Sequence, residues 1–372
     1  MVLFQEQVIE IATAVAGFTL GESDQLRRVM THARSHSDMK EIGQKFVKRA
    51  LERGVEKDVA LSVLSYIESY ASYGFCEAHA AAFGLTAYRT AYLLEHYPEH
   101  YLCGLMNQQP MGYYPLHTLG VEARRRGVEI LPLDINESAL EFEVREGGIR
   151  VPITLVKEVS CREASKVVES REKEGRFESW DDFRFRAGVN REALENLILA
   201  GAFDSMVPNR RALLWKMADP SGDLADGVDD FTQLERLYLE HRMMNLFTSG
   251  HPLRSWRGIL SKRGFCDSQT LLKKEDGAYV KVAGIPVCPH RPPTRSGKVV
   301  VFLSLEDEHG LIDITVFDSI YQKFGSLLFG DVPPVLEMKG RLSTDRGGFS
   351  VIASHIQALE LKPKRGPFPG PS

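Results

Sequence analysis

The sequence predicts an α+β chain of several domains, mainly helical at first and built of β-strands towards its end. Apolar residues recur at helical spacing through residues 1–109, whereas residues 278–361 contain five short runs rich in Val, Ile and Phe. The length of 372 residues suits two to four domains. Hydrophobic residues (43%) and charged residues (26%) occur in the proportions of an ordinary globular protein.

Composition excludes several classes of protein. No apolar run approaches the roughly 20 residues that span a membrane, and no basic segment followed by an apolar core marks a signal peptide. The five cysteines are scattered and never paired as CxxC, which predicts reduced thiols in a cytoplasmic protein and no zinc site. The net charge of −4 argues against non-specific nucleic-acid binding by the whole chain, although local basic patches can still bind phosphate.

The first part of the chain is predicted to contain six helices separated by glycine and proline. Gly17 and Gly21 are predicted to separate the first two helices, Gly54 to end the third, and Pro98 to end the fifth. The predicted helices begin near Phe4, Asp24, Ile42, Val59, Ala80 and Tyr101.

The middle of the chain is predicted to mix short helices with one hairpin. A helix covers residues 116–126, and the Gly-Gly pair inside residues 141–152 predicts a β-hairpin. Asn190 is predicted to cap a helix that follows a tight turn. One further helix covers residues 231–244, and Gly250-His251-Pro252-Leu253 breaks the chain after it.

Five predicted strands follow, at residues 279–284, 299–307, 311–317, 335–341 and 349–353. A helix near residues 320–327 separates the third strand from the fourth. This is the order of a five-stranded OB barrel. Residues 362–372, rich in proline and lysine, are predicted to form a disordered tail.

One block of the sequence carries a family resemblance. Tyr73-Gly74-Phe75-Cys76-Glu77-Ala78-His79-Ala80-Ala81-Ala82-Phe83-Gly84 sets a lone histidine among small residues. It resembles the fingers helix of bacterial family C DNA polymerases, the replicative alpha-subunit type. The chain is similar in order to that family from Phe4-Gln5-Glu6-Gln7 onward, over roughly residues 2–360, which is the C-terminal third to half of a full polymerase. Replicative members carry Asn-Lys-Ser before the histidine, whereas Pro-Glu-Ser is typical of the error-prone branch. Cys76-Glu77-Ala78, which shares the central glutamate, therefore looks closer to the error-prone branch.

The resemblance divides the chain into five segments. They are a fingers portion (1–152), a helix-hairpin-helix DNA-binding region (153–212), a clamp-proximal linker (213–277), an OB domain that binds nucleic acid (278–361) and the tail (362–372).

The resemblance implies that the fingers bind the incoming nucleotide. Arg27 and Arg28 match basic residues that contact its phosphates, and guanidinium groups suit this role because they donate bidentately and stay charged. His79 is implied to face the sugar and to exclude ribonucleotides. From the residues alone, the alternatives are a solvated helix face that pairs with Glu22 or Asp24, and a histidine in the core.

Two helix-hairpin-helix elements are implied to bind duplex DNA through backbone amides that point at phosphate. The first has Lys157-Glu158-Val159-Ser160 where the family has two glycines, so we expect it to bind poorly. The second element resembles the family pattern more closely. Ala200-Gly201-Ala202-Phe203-Asp204 matches a family signature, for which packing alone is the alternative. The predicted DNA contacts of this region are Gly188, Asn190, Arg191, Arg210 and Arg211.

The OB barrel is implied to hold the template strand. Its basic loop supplies the predicted contacts Arg291, Arg295 and Lys298. Phe302 and Phe317 are candidate platforms for base stacking, and filling of the barrel core is the alternative.

The palm carboxylates that hold paired Mg²⁺ in family C polymerases have no counterpart in this sequence. Val228-Asp229-Asp230-Phe231 has the wrong spacing for the family's Asp-x-Asp-x-Asp-Phe pattern. We therefore expect Mg²⁺ only in the complete polymerase, no cofactor bound by this chain, and no polymerase activity from the chain alone.

The expected function is nucleotide and primer–template binding as the C-terminal part of an error-prone DNA polymerase in replication or repair. The expected partners are primer–template DNA and dNTP, with a sliding clamp and other holoenzyme or mutasome proteins as candidates. Gln233-Leu234-Glu235-Arg236-Leu237-Tyr238 faintly resembles a clamp-binding peptide, but an ordinary helix face explains it better. The alternative function is a non-catalytic DNA-binding or partner-binding remnant of a truncated polymerase gene.

Overall fold

The chain divides into two units, residues 1–95 and 96–372, which is coarser than the five segments predicted from the sequence. The computed structural model describes residues 4–31, 36–70, 76–112, 114–219, 227–294, 297–329, 335–344 and 348–359. The predicted tail lies outside the described residues. Within these ranges, no helix combines the length and the apolar character needed to cross a membrane.

The first unit is helical, as predicted. The apolar stripes of its first four helices meet in one core, where Val8, Leu26, Phe46 and Ile67 are fully buried. The helices of this unit are α1 (Gln5–Ala16), α2 (Leu20–Thr31), α3 (His36–Glu52), α4 (Lys57–Tyr70) and α5 (Glu77–His96).

The start of α2 differs from the prediction. Gly17 ends α1 in the left-handed conformation (φ 62°), but Gly21 lies inside α2 and does not interrupt it. The reason is a reciprocal cap, in which Glu22 N donates to Thr19 Oγ1 (3.3 Å) and Thr19 N donates to Glu22 Oε2 (2.9 Å).

The second unit begins with two helices and a small sheet. The predicted hairpin is present because β2 (Glu143–Arg145) pairs antiparallel with β3 (Gly148–Arg150). A third strand, β1 (Glu129–Leu131), pairs parallel with β3 on its other side. The helices before this sheet are α6 (Pro98–Asn107) and α7 (Leu116–Arg125).

Short helices follow the sheet around an aromatic core. Phe183 packs edge-on against Phe203 with ring centroids 4.9 Å apart, and Trp180 lies 5.1 Å from Phe203. The helices are α8 (Cys161–Glu174), α9 (Trp180–Ala187), α10 (Arg191–Ala200), α11 (Arg210–Ala218), α12 (Gln233–Met244), α13 (Arg257–Lys262) and α14 (Ser268–Leu271), with 3₁₀ turns at Ile153–Leu155 and Arg254–Trp256.

The last part of the second unit is the predicted five-stranded barrel. It closes in the order β4-β5-β6-β8-β7, and a helix between the third and fourth strands completes the OB arrangement. Alternate side chains point inward, so Val301, Leu303 and Ile314 are buried. The elements are β4 (Tyr279–His290), β5 (Val300–Glu306), β6 (Leu311–Phe317), α15 (Asp318–Phe324), a 3₁₀ turn (Gly325–Leu327), β7 (Leu336–Ser343) and β8 (Ser350–Ala358).

A buried carboxylate joins the barrel to the helical part of the second unit. Glu306 ends β5 with no exposed surface, and His117 Nδ1 of α7 donates to its Oε1 at 2.8 Å. His251 accepts a hydrogen bond at Nδ1 from Leu253 N (3.2 Å), so its Nε2 carries the proton and lies 3.7 Å from Glu306. Burial raises the pKa of Glu306, but the contacts with His117 and His251 outweigh it and lower the pKa to about 2.

We expect Glu306→Gln to lower the free energy of unfolding by about 1–3 kcal/mol, because an amide cannot replace the charge that the two histidines face. Urea denaturation at pH 7 measures the change. Asp313→Asn, an exposed carboxylate on β6, is the control and should shift stability by less than about 0.5 kcal/mol. A Glu306 variant as stable as the wild type would show that the barrel is held without this carboxylate.

A second prediction concerns His241, which stacks on Phe247 beside the same cluster. Burial, with His117 nearby, lowers the pKa of His241 from 6.5 to about 4. Between these values the unfolded chain binds the proton more readily, so stability should fall as the pH drops from 6.5 to about 4. Urea midpoints measured across this range should fall less in His241→Gln, and equal slopes for both proteins would contradict the assignment.

Candidate nucleotide and nucleic-acid surfaces

Arg27 and Arg28 lie on α2 and share one carboxylate. Arg27 donates to Asp24 Oδ1 from Nε (2.9 Å) and Nη2 (2.8 Å), and Arg28 Nε lies 2.7 Å from Asp24 Oδ2. The hydrogen bond from Arg27 is the main cause that lowers the pKa of Asp24. This is the paired helix face named as the alternative, so a triphosphate would compete with Asp24 for both guanidinium groups. Their role towards a nucleotide stays a prediction.

Two residues of the Phe4-Gln5-Glu6-Gln7 motif connect Arg27 with the helix that carries His79. Gln5 Oε1 accepts a hydrogen bond from Arg27 Nη1 at 2.9 Å. Glu6 Oε2 accepts from Glu77 N at 3.0 Å, where α5 begins, and this bond is the largest cause that lowers the pKa of Glu6. The motif therefore positions the candidate nucleotide residues, a role that the sequence pattern did not reveal.

His79 is exposed on the first turn of α5, which contradicts the alternative of a core histidine. Its ring lies 4.5 Å from that of Phe83, with the planes tilted by 54°. The described residues bury no side chain of α5, and Phe83 is 63% exposed. Its predicted contact with the nucleotide sugar stays a prediction, and the preceding Tyr73-Gly74-Phe75 lies outside the described residues.

The first hairpin turn has a left-handed residue, Glu158, at a position where the family resemblance has a glycine. Glu158 adopts φ 65°, a left-handed conformation that is strained for a residue with a side chain. Ser160 then caps α8, where its Oγ accepts from Glu163 N (3.2 Å) and Glu163 Oε2 accepts from Ser160 N (3.1 Å). The hairpin turn is therefore formed, but the negative charge of Glu158 would repel a phosphate.

The second hairpin turn has the predicted shape, and a carboxylate occupies it. Gly188 ends α9 at φ 58°, and Asn190 caps α10 by accepting from Ala193 N at 3.0 Å. However, Asn190 N (3.0 Å) and Nδ2 (2.7 Å) both donate to Glu163 Oε1. The hydrogen bond from Ser160, followed by those from Asn190, lowers the pKa of Glu163 to about 2. An amide expected to meet phosphate is therefore already bonded to an anion.

Of the three arginines predicted to contact DNA in this region, only Arg191 is exposed. Arg210 is 4% exposed, and its guanidinium binds Asp204 (2.7 Å) and the carbonyl of Leu199 (2.9 Å), so it has no surface to offer a phosphate. This corrects the prediction for Arg210, whose burial could not be read from the sequence. Arg211 is partly exposed and stacks on Phe231, 4.5 Å from the ring centroid.

The ion pair between Arg210 and Asp204 also supports packing, the alternative given above, as the reason for the Ala200-Gly201-Ala202-Phe203-Asp204 signature. Gly201 ends α10 at φ 92°, and a Cβ there would lie 2.3 Å from Arg210 Nη2. Phe203 is buried in the aromatic core. Only glycine satisfies both the backbone and the close approach of the arginine.

Phe302 and Phe317 lie on the outer face of the barrel, which contradicts the alternative of core filling. Each is 47% exposed. Phe302 pairs with Thr315 across β5 and β6, and Phe317 is two residues further along β6, so the two rings are diagonal neighbours on one face. His290 of β4 pairs with Phe302 on its other side. The second and third strands of an OB barrel thus present an exposed aromatic pair, which is the face that such barrels use for oligonucleotides.

The basic loop joins β4 to β5, so it directly precedes the strand that carries Phe302. Arg291 is exposed and donates from Nη1 to the Tyr321 hydroxyl at 3.2 Å. Lys298 is exposed and has no carboxylate partner among the described residues. Arg295 lies outside the described residues. The DNA contacts predicted for this loop stay predictions.

Two further findings concern motifs weighed in the sequence. The stretch that resembles a clamp-binding peptide is the first half of α12, and it buries Leu234 and Leu237, so the helix-face explanation is confirmed. The described residues bring together no group of three or more His, Cys, Asp or Glu side chains placed to share a metal ion.

Comparison with protein families gives two matches. Residues 1–54 match the family described as "Bacterial DNA polymerase III alpha subunit finger domain". Residues 127–213 match the family described as "Helix-hairpin-helix motif", which includes both hairpin turns described above.

Curated relatives align along almost the whole chain. An error-prone DNA polymerase of Symbiobacterium thermophilum is 45% identical over 97% of this chain and 39% of its own length. Proteins of the same name from Anaeromyxobacter dehalogenans (strain 2CP-1) and Rhodopirellula baltica are 32% and 30% identical, over 98% and 97% of this chain and 34% and 33% of their own lengths. The chain therefore spans between a third and two fifths of the relatives that it matches.

Among solved structures, a domain of replication protein A from Methanococcus maripaludis is 14% identical and covers 24% of this chain and 92% of its own. Its TM-score is 0.20, so this likeness adds nothing to the strand order of the barrel.

Proposed function

Because the chain belongs to the error-prone branch of the bacterial DNA polymerase III alpha-subunit family, we propose that it serves DNA synthesis as the nucleotide- and DNA-binding C-terminal part of such a polymerase. The observation that carries the proposal is the exposed pair Phe302 and Phe317 on the oligonucleotide face of the barrel. Residues that fill a core have no reason to be half exposed on this face, whereas stacking platforms for bases need to be.

In this proposal the barrel holds the single-stranded template. Two bases stack on Phe302 and Phe317, and Arg291 and Lys298 neutralise the phosphates between them. Each contact is independent of base identity, because every base offers a ring face and every nucleotide a phosphate. A polymerase that accepts any template needs such a sequence-tolerant grip.

The first unit would bind the incoming nucleotide through Arg27, Arg28 and His79. Its phosphates would displace Asp24 from the two arginines, a competition that favours a triphosphate because it carries more charge than one carboxylate. The metal-dependent step is assigned to the palm carboxylates of the complete polymerase, since this sequence has no matching aspartate pattern. We propose no clamp contact on α12, because its leucines are buried in their own unit.

The central test is binding of a fluorescent oligo-dT strand to the pure chain. We expect the double variant Phe302→Ala/Phe317→Ala to weaken binding at least about tenfold, because each stacked base contributes about 1–3 kcal/mol. Arg291→Gln/Lys298→Gln should weaken binding and also reduce its dependence on salt. Fluorescence anisotropy at several salt concentrations measures both effects.

The matched control is Phe185→Ala/Trp215→Ala, which removes two aromatics that are 92% and 64% exposed elsewhere in the second unit. Equal losses in the two aromatic pairs, or no binding by the wild type at low salt, would contradict the barrel site.

A separate experiment uses primer–template DNA with added dNTP. It distinguishes a polymerase part from the alternative, a DNA-binding remnant, because a plain DNA binder should not respond to nucleotide.

A further prediction concerns Glu163 at the hairpins. We expect Glu163→Gln to tighten binding of a short blunt duplex about threefold to tenfold, because it removes the anion from Asn190 N while keeping the capping geometry. Glu169→Gln, which removes an equal charge from an exposed position of α8, is the control. Equal gains in both variants would mean that only the overall charge matters.

A further inference from the structure

A polar cavity lies within the second unit, at the junction between the barrel and the helices. It has a volume of about 310 Å³ and is lined by α7, by the turn after α12 and by the loop between β5 and β6. A single water needs only about 10–15 Å³ of such volume, so the cavity has room for a polyatomic ion.

Arg124 enters this cavity as a half-buried cation without an anion. Its Nη2 donates to the backbone carbonyls of Phe247 and Thr248, the latter at 3.3 Å. Among the described residues, no carboxylate lies within ion-pair distance of it. Burial lowers the pKa of Arg124, the charges of Glu240 and Glu306 oppose this shift in part, and Arg254 adds a smaller lowering.

Arg254 is the second unmatched cation of the cavity. The turn that contains His251 places it, because Arg254 N donates to the carbonyl of His251 at 3.0 Å. Its side chain is exposed, and the part of the chain that the structure describes provides no ion pair for it.

The neighbouring arginines behave differently. Arg125 lies 2.8 Å from Glu122, and Arg257 Nη2 lies 2.7 Å from Glu308. The one carboxylate of the cavity lining, Glu308, is therefore neutralised from behind by Arg257. The lining also includes the side chains of Gln269 and His309, which carry further N–H donors. The cavity therefore presents two guanidinium groups that have no ion pair among the described residues, and the only carboxylate of its lining, Glu308, is already paired with Arg257.

We infer that this cavity is an oxyanion site that binds a phosphate group between Arg124 and Arg254. Guanidinium groups donate bidentately to phosphate, and the unpaired charge of a half-buried arginine favours an anion more strongly than an exposed one does. The phosphate can belong to a nucleic-acid backbone, a source that rests on the proposed function, or to a free ion such as pyrophosphate. Both sources share the same recognition chemistry.

The test is isothermal titration of the full chain with inorganic pyrophosphate at pH 7.5 and low salt. We expect Arg254→Gln to weaken binding on the order of fivefold or more, because one of the two cations is lost. Lys262→Gln is the matched control, since it removes an equal charge from an exposed residue of α13 that does not line the cavity. The structure gives the Arg254 side chain no hydrogen bond or ion pair among the described residues, so we expect the variant to have the thermal midpoint of the wild type.

The outcomes separate the sources. Weaker pyrophosphate binding only in Arg254→Gln supports the site, and a parallel loss of oligo-dT binding, with pyrophosphate as a competitor, identifies a nucleic-acid backbone as its ligand. A loss confined to pyrophosphate identifies a free anion. No titratable binding, or equal effects of the two variants, overturns the inference. Failure of the proposed function is seen separately, because it depends on Phe302 and Phe317.

Discussion

The second unit depends on one buried charge, the carboxylate of Glu306. A carboxylate with no exposed surface is costly unless it is paired, and here a histidine from α7 and one from the turn after α12 face it. Two of these elements, α7 and the turn after α12, also line the cavity that holds Arg124 and Arg254, together with the loop that follows β5. The contacts of Glu306 thus connect β5 of the barrel with both α7 and the turn after α12. The break at Gly250-His251-Pro252-Leu253 thereby has a physical role, because His251 Nδ1 accepts a hydrogen bond from Leu253 N and its Nε2 faces Glu306 of the barrel.

Internal carboxylates also decide which basic groups remain available to phosphate. Asp24 holds Arg27 and Arg28, Asp204 holds Arg210, and Glu163 holds the amide of the second hairpin. These pairings are consistent with a chain whose net charge is −4 despite its DNA-polymerase relatives. Among the candidate phosphate contacts, those without a carboxylate partner in the described part of the chain are Arg124, Arg191, Arg254, Arg291 and Lys298. For the DNA binding proposed above, this pattern favours contacts spread over several groups rather than one tight local site.

The sequence predicted the helices, the hairpin and the barrel because their periodicities are local. Side chains alternate between the two faces of a strand, so Phe302 lies on the same face as the polar Ser304, and Phe317 on the same face as Thr315. The sequence therefore already implied that both rings are exposed. By contrast, the burial of Arg210 depends on contacts with Leu199 and Asp204 that form only when the chain folds. Glu163 was missed for a related reason, because its partner Asn190 is 27 residues away and no spacing rule connects them. Charged residues with tertiary partners are therefore the part of the site that sequence patterns do not reveal.

Helix α5 shows how an element can be specified without burial. None of its side chains is fully buried in the part of the chain that the structure describes, so packing contributes little to its stability. Ala78, Ala80, Ala81 and Ala82 supply high intrinsic propensity, and Glu6 satisfies the backbone donor of Glu77 at its start. Its first turns expose His79 and Phe83. Small residues around one polar ring leave room for a flat ligand to approach the backbone closely, which is the geometry that the proposed contact with a nucleotide sugar requires.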